Sequence, residues 1–369
     1  MPGEQPRYPR REEENQHLCC ILTRNKPAVF TDVDSVHPLI PFEFSHYTER
    51  MTICIHAMRE QGLFLEFDVF NVEPFVINAL RRALLAEVPS MAPAEIRMQQ
   101  NSTILSDDMI GHRVGMVPFR ADPRCFKFRP ADKKPDSLDY GILFELQVEP
   151  KKVARSTRHV PVNPKVDMVK LYSTDFKFPR ESSYPQDLME KVGPVHNTVE
   201  DRILVATLHP AQELEFRVFV AKGIGKDHAK FSPVSTAFYR AKPEIRLLRD
   251  VNGEEAHRLR ECFVNNKGDK AIIEVVKDQS GRESAVVKND RLYTGCRKVL
   301  CDSTLSDAVK IGFRKNEFIF EVESVGALPS TVLVKEALTI LKNRCEYHLL
   351  KLARFRAPIP SVVKMEEHS

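Results

Sequence analysis

Residues 63–89, LFLEFDVFNVEPFVINALRRALLAEVP, place two hydrophobic periodicities back to back. Leu63, Leu65, Phe67 and Val69 alternate with Glu66 and Asp68, which predicts a strand with one apolar and one mostly polar face. After Pro74 the period changes to that of a helix. Proline suits a first helical position, where its missing N–H would have been unpaired anyway. Pro89 disfavours helical backbone at the residue before it, which places the stop at Val88. On a 100° wheel Phe75, Val76, Ile77, Ala79, Leu80, Ala83 and Leu84 span roughly 200°, against the ~100° stripe that one core requires. Asn78, Arg81 and Arg82 fill most of the remainder. An apolar arc of that width has room for two surfaces, this chain's own sheet and a partner.

Outward from this stretch, Ser106 is placed to cap a short helix whose first turn carries Asp107 and Asp108, with Gly115 and Pro118 as its stop. Alternating residues predict further half-buried, antiparallel strands at Ile142, Phe144, Leu146 and Val148, at Leu214, Phe216, Val218 and Val220, and at Phe318, Phe320 and Val322. A second helix follows Leu328-Pro329-Ser330 and runs to about Leu352, with Val334, Leu338, Leu341, Cys345 and Leu349 as its apolar stripe. At roughly 22 residues it is long against a mean of ~11–12. The fold class is α+β. Residues 1–17 are polar, proline-bearing and almost free of aliphatics, and the tail after Leu352 is similar, so both are expected to be disordered. The proline- and charge-rich stretches 121–137 and 150–186 read as loops.

Catalytic signatures are missing. Gly223 and Gly225 begin like a dinucleotide fingerprint, but His228 stands where the third glycine is needed, and no P-loop Gly-Lys-Ser/Thr occurs. The histidines show no His-Glu-x-x-His pairing, and His112 reads as a hydrogen-bonded structural residue. No Asp-x-Asp-x-Asp triad is present to hold magnesium. Cys262, Cys296 and Cys301 have neither the close pairs of structural zinc nor the run of an iron–sulfur site. The eight cysteines are scattered, and without a signal peptide they read as reduced thiols of an intracellular protein. No apolar run approaches the ~18–20 residues of a membrane helix, so a soluble chain is expected. The net charge of +4 decides nothing about nucleic acid. The basic clusters Lys127, Arg129, Lys133, Lys134 and Lys151, Lys152, Arg155, Arg158 lack clear aromatic stacking partners and read as solvated loops.

The motifs Asn78-x-Leu80-Arg81-Arg82, Glu87-Val88-Pro89, Asn101-Ser102-Thr103 and His112-Arg113-Val114-Gly115-Met116-Val117-Pro118 occur in that order. AKGIGKDHAKFSPVSTAFYR (221–240) and FIFEVESVGALPSTVLVKEALTILKN (318–343) follow. Together they resemble the signature of the α-like subunits of RNA polymerase, over about residues 50–352. Within that family the chain most resembles the branch shared by nuclear RNA polymerases I and III. The polymerase II branch carries a zinc-binding cysteine loop in its second domain, whereas residues 93–226 here hold only Cys125. Phe231-Ser232-Pro233-Val234-Ser235 also resembles the shared branch.

The resemblance implies a discontinuous dimerisation domain (46–92, 227–249 and 311–352) behind a largely disordered extension (1–45). A β-rich domain (93–226) is inserted in it, a ferredoxin-like remnant without a cluster occupies 250–310, and 353–369 form a flexible tail. It implies a non-catalytic nuclear and nucleolar assembly subunit with no cofactor and no metal. Its expected partners are a smaller α-like subunit, the second-largest subunits of polymerases I and III, and small zinc-binding polymerase subunits. It would meet nucleic acid only through the complex, and no membrane. The dimer contact is expected at Phe75, Val76, Ala79, Leu80, Ala83, Leu84, Val334, Leu338, Leu341, Cys345 and Leu349. Docking of the large subunit is expected at Asn78, Arg81, Arg82, His112, Arg113, Gly223, Gly225, His228 and Lys230. The alternatives are the polymerase II counterpart, or a stand-alone nucleic-acid-binding or redox-sensing protein using the basic loops or Cys296 and Cys301.

Overall fold

The change of period at Pro74 is a change of element: strand β3 (Phe64–Phe70) gives way to helix α2 (Pro74–Ala86). The computed structural model of the chain describes residues 18–21, 44–130, 139–148, 168–177, 202–209, 212–263, 272–277 and 281–356. Before β3 come β1 (Leu18–Ile21), α1 (Phe44–Arg50) and β2 (Thr52–Arg59). After α2 follow β4 (Pro89–Asn101), α3 (Asp107–Gly115), β5 (Gly141–Val148), β6 (Val169–Tyr172), β7 (Leu204–Leu208), β8 (Leu214–Ile224) and β9 (Val234–Leu247). The chain continues through α4 (Glu254–Cys262), β10 (Ile273–Lys277), β11 (Glu283–Val287), α5 (Lys298–Cys301), β12 (Val309–Ser324) and α6 (Ser330–Arg356).

One sheet has the strand order β1-β12-β3-β2, with β9 also paired to β12, so β2 ends the path. A second sheet has the order β4-β8-β5 and is antiparallel, with Val218 in register between Ile96 and Phe144. The pairs β6-β7 and β10-β11 are antiparallel as well. The architecture is α+β.

Two compact units, each discontinuous in sequence, divide the chain. One consists of Met1–His56, Phe67–Pro74 and Tyr239–Phe320, and holds a core that includes Ile245, Leu259, Phe263, Tyr293, Val299 and Ile311. The other consists of Ala57–Glu66, Phe75–Phe238 and Glu321–Ser369, with a core that includes Ile110, Val114, Phe119, Phe144, Phe216 and Val218. Its aromatic centre packs Phe119 against Phe144 at 5.0 Å between ring centroids.

The local signals account for the element ends. Ser106 caps α3 by accepting a hydrogen bond from the Met109 amide. The Glu87 and Val88 amides both reach back to the Ala83 carbonyl, closing α2 two residues before the stop expected at Val88. Several expectations need correction. Leu18–Ile21, within the extension 1–45 expected to be largely disordered, pairs its backbone with β12, Leu18 opposite Arg314. Helix α6 continues through Arg356, past the end expected near Leu352, because Lys351–Arg356 contains no helix breaker before Pro358. Val169–Tyr172 is a strand within a stretch read as a loop, since its partner β7 is distant in sequence. Asp68, assigned to a polar strand face, is 1% exposed. Residues 1–17, 22–43 and 357–369, and with them Lys133, Lys134, Lys151, Lys152, Arg155 and Arg158, lie outside the described residues.

Candidate interaction surface

Helix α2 turns Ile77, Leu80, Ala83 and Leu84 inward at steps of three and four residues. Leu80, Ala83 and Leu84, expected at a partner contact, are therefore buried in this chain's own core. The i, i+3, i+4 set that faces the core cannot also face outward. Val76 and Ala79 are half-buried, and Phe75 is 72% exposed. Helix α6 divides in the same way. Ser330, Leu333 and Ala337 are buried, Val334 and Leu341 half-buried, and Leu338 exposed. Ser330 Oγ donates to the Leu63 carbonyl, which also accepts from the Ser324 amide at 2.8 Å, and this anchors the start of α6. Arg344 pairs with Glu87 just beyond α2. From Lys342 to Arg354 every side chain is exposed, including Cys345 and Leu349, the latter at 65%. Leaving Phe75, Leu338 and Leu349 in water forgoes roughly 1.5–3 kcal/mol for each side chain that could be fully buried.

The polar candidates separate into groups used inside the fold and groups left at the surface. Asn78 Oδ1 accepts from Arg81 Nε and Nη2 at 3.1 and 2.9 Å, which orients the Arg81 guanidinium along the helix. Arg82 is exposed. Arg113 donates to the Val205 and Leu204 carbonyls at 2.7 and 2.8 Å and so staples α3 to β7, while His112 beside it is exposed. Gly223 and Gly225 are explained by internal packing. A Cβ at Gly223 would lie 2.6 Å from the Phe231 ring, and one at Gly225 only 2.2 Å from the Leu85 carbonyl oxygen. The Lys226 amide then bonds the Ala86 carbonyl at 2.8 Å, tying this loop to the end of α2. Exposed His228 accepts from the Lys230 amide through Nδ1. Lys230 Nζ donates to the Pro93 carbonyl at 2.5 Å, and burial pushes its pKa down from the usual lysine value. Expectations of docking at Arg113, Gly223, Gly225 and Lys230 rested on motif residues whose chemistry the fold itself uses.

The other unit contains a cluster that alternation alone did not reveal. Asp68 meets Arg291 Nη2 at 2.8 Å, His56 Nε2 at 3.0 Å and Lys242 Nζ at 3.9 Å. Lys242 also lies 3.7 Å from Glu317 and 4.6 Å over the Phe70 ring. The cluster ties the segment carrying Arg291 to the strand residues around Asp68. In the same unit β2 exposes Ile53 and Ile55, apolar side chains on a terminal strand that sequence reading did not single out, and Met51 just before it is exposed as well. Their signal was present as the alternation Ile53-x-Ile55 at the head of the sheet.

Two further groups, one basic and one thiol, are turned inward. Lys222 is held inward, donating to the Phe126 carbonyl at 3.1 Å, and its pKa is lowered by burial. Burial, then the nearby Asp302, pushes the Cys262 thiol up, away from the reactive thiolate. Among the described residues no group of three or more His, Cys, Asp and Glu side chains is placed to hold a metal ion.

The family model of the RNA polymerase Rpb3/Rpb11 dimerisation domain matches residues 66–345, which include α2 and most of α6. The chain is 39% identical over 297 residues to DNA-directed RNA polymerases I and III subunit RPAC1 of Bos taurus, covering 78% of this chain and 81% of that one. Against the Saccharomyces cerevisiae protein of the same description the identity is 34% over 290 residues, covering 76% and 82%. DNA-directed RNA polymerase II subunit rpb3 of Dictyostelium discoideum is more distant, 28% identical over 281 residues with 75% and 87% covered. The match takes in exposed Phe75 on α2 and exposed Leu338 on α6, and the chain belongs to the RNA polymerase Rpb3/Rpb11 dimerisation-domain family.

Proposed function

We propose that this chain is the non-catalytic α-like assembly subunit shared by RNA polymerases I and III. It pairs with a smaller α-like subunit, and the pair docks the second-largest subunit of each enzyme. The observation that carries the reading is the higher identity to relatives described as polymerase I and III subunits than to a polymerase II subunit. The place of action is the nucleus, including the nucleolus, in the synthesis of ribosomal RNA, 5S RNA and tRNA.

In this reading the dimerisation domain comprises 46–92, 227–249 and 311–352, the β-rich domain 93–226 is inserted in it, and 250–310 is a ferredoxin-like remnant without a cluster. The partner contact is assigned to Phe75, Val76, Ala79, Val334, Leu338, Leu341, Cys345 and Leu349. These are the members of the expected set that are not fully buried. A helix-on-helix contact of this kind would bury on the order of 2,000 Å² or more, as obligate interfaces do. Asn78, Arg81, Arg82, His112 and His228 remain at or near the surface and are assigned to large-subunit docking, with small zinc-binding subunits as further neighbours. Affinity purification of the tagged chain with subunit identification tests the reading. Recovery of the large subunits of both polymerases I and III is expected, recovery of polymerase II subunits alone would overturn the branch, and recovery of no polymerase would overturn the whole.

A further inference from the structure

The matched dimerisation domain ends at residue 345, whereas α6 continues to Arg356. On a 100° wheel Leu338, Leu341, Cys345, Leu349 and Leu352 fall within an arc of about 80°, while Tyr347 and Leu350 lie roughly 140–160° from its centre. A partner helix seated on the first arc cannot also cover the second. Tyr347 is nevertheless 53% exposed and Leu350 67%. Asn343 and Arg354 share this opposite face and Lys351 borders it, its Nζ lying 4.5 Å over the Tyr347 ring. The face is thus an aromatic–aliphatic pair with Arg354 on it and Lys351 along one side, while Glu346, 3.8 Å from Lys342, borders the other side.

From Lys342 to Arg354 the helix has only exposed side chains to stabilise it, and a free helical segment of about 12–15 residues is marginal in water. Covering one side would leave the other apolar pair in solvent at the end of a thin helix. We propose that the distal turns of α6 are held between two proteins. The smaller α-like subunit covers the Leu338–Leu352 arc, and a different polymerase subunit, presenting an apolar groove edged with Asp and Glu, takes Tyr347 and Leu350. This rests on the assembly reading above. Charge complementarity favours that occupant: Lys351 and Arg354 would meet the carboxylates of the groove, and a tyrosine in a closed pocket is a common centre of binding energy.

The test is the full chain carrying Tyr347→Ala and Leu350→Glu, expressed tagged beside the wild type, with recovered polymerase subunits quantified by mass spectrometry. Both positions are exposed, so the fold should survive, and a wild-type circular dichroism spectrum would show that it has. The expected result is undiminished recovery of the smaller α-like subunit with at least a tenfold loss of one other subunit. Lys351→Glu with Arg354→Glu should weaken the same contact and reduce its sensitivity to salt. A photo-crosslinking residue at position 350 should then label that same subunit. Retention of every subunit within twofold, or a crosslink to the smaller α-like subunit or to a second copy of this chain, would overturn the proposal. If the wild-type chain recovers no polymerase subunit at all, the assembly reading falls and this inference with it. A wild-type complex that is unaffected by the variants overturns this inference alone.

Discussion

Asp68→Ala removes the acceptor at the centre of the cluster formed with Arg291, His56 and Lys242. The carboxylate is almost wholly buried, and both of its oxygens accept from Arg291 at 2.8–3.3 Å. Breaking a buried pair by removing one partner costs about 3–5 kcal/mol, because the remaining charge has lost both water and counter-charge. The lower end applies here. Arg291 keeps 15% of its side-chain exposure, and Lys242 retains Glu317 as an alternative partner. With a urea slope of about 2–3 kcal/mol per molar, a loss of about 3 kcal/mol lowers the midpoint by about 1–1.5 M. Equilibrium unfolding followed by far-UV circular dichroism measures it. The double variant Asp68→Ala, Arg291→Leu isolates the ion pair and should recover at least half of the loss, since the orphaned charge is gone. A loss below about 1 kcal/mol in the single variant, or strictly additive losses in the double, would refute a buried ionic tie in this unit.

Gly225→Ala should destabilise by about 2 kcal/mol or more, because its Cβ would sit 2.2 Å from a backbone oxygen that cannot move without α2. Gly115→Ala, where nothing lies within 4 Å, should be neutral or stabilising by up to about 1 kcal/mol; thermal unfolding of both variants checks the contrast. Asp302 accepts from the Thr304 amide at 3.0 Å, from Arg258 at 2.5 Å and from the Thr304 hydroxyl at 2.9 Å, which pulls its pKa from 3.8 down to about 2. A lowered folded pKa means that these bonds stabilise the fold above about pH 4 and that the contribution is lost as pH falls towards 2. An NMR titration of the Asp302 carboxyl should find that midpoint, and a value near 4 would contradict it. Phe75→Asp and Leu338→Asp should abolish pairing with the smaller α-like subunit while leaving the circular dichroism spectrum unchanged, since both side chains are exposed. Leu80→Asp should instead lose the folded spectrum itself, because it places a charge in the core.

Much of the local structure was legible residue by residue. Pro74 marks a helix start because proline lacks the N–H that the first turn leaves unpaired, and Ser106 marks another because its hydroxyl supplies a missing acceptor. Alternation at 214–220 and 318–322 signalled strands because a pleated chain turns successive side chains to opposite faces. These effects act over a few residues, so sequence spacing is enough to show them, and the ordered motifs from Asn78 to Pro118 carried the family likeness in the same way. The roles within those motifs depended on distant residues. Arg113 is committed to carbonyls at 204 and 205, Gly225 to the carbonyl of Leu85, and Lys230 to that of Pro93. Asp68 looked solvated until Arg291, more than two hundred positions away, was placed beside it.

For α2, the sequence by itself determined that the apolar arc was wide enough for two surfaces. Only the tertiary structure decided that Leu80, Ala83 and Leu84 belong to the inner one and Phe75 to the outer. The physical reason is that helical periodicity sets the angles between side chains about one axis, whereas the direction of that axis's buried side is set by packing against elements remote in the chain.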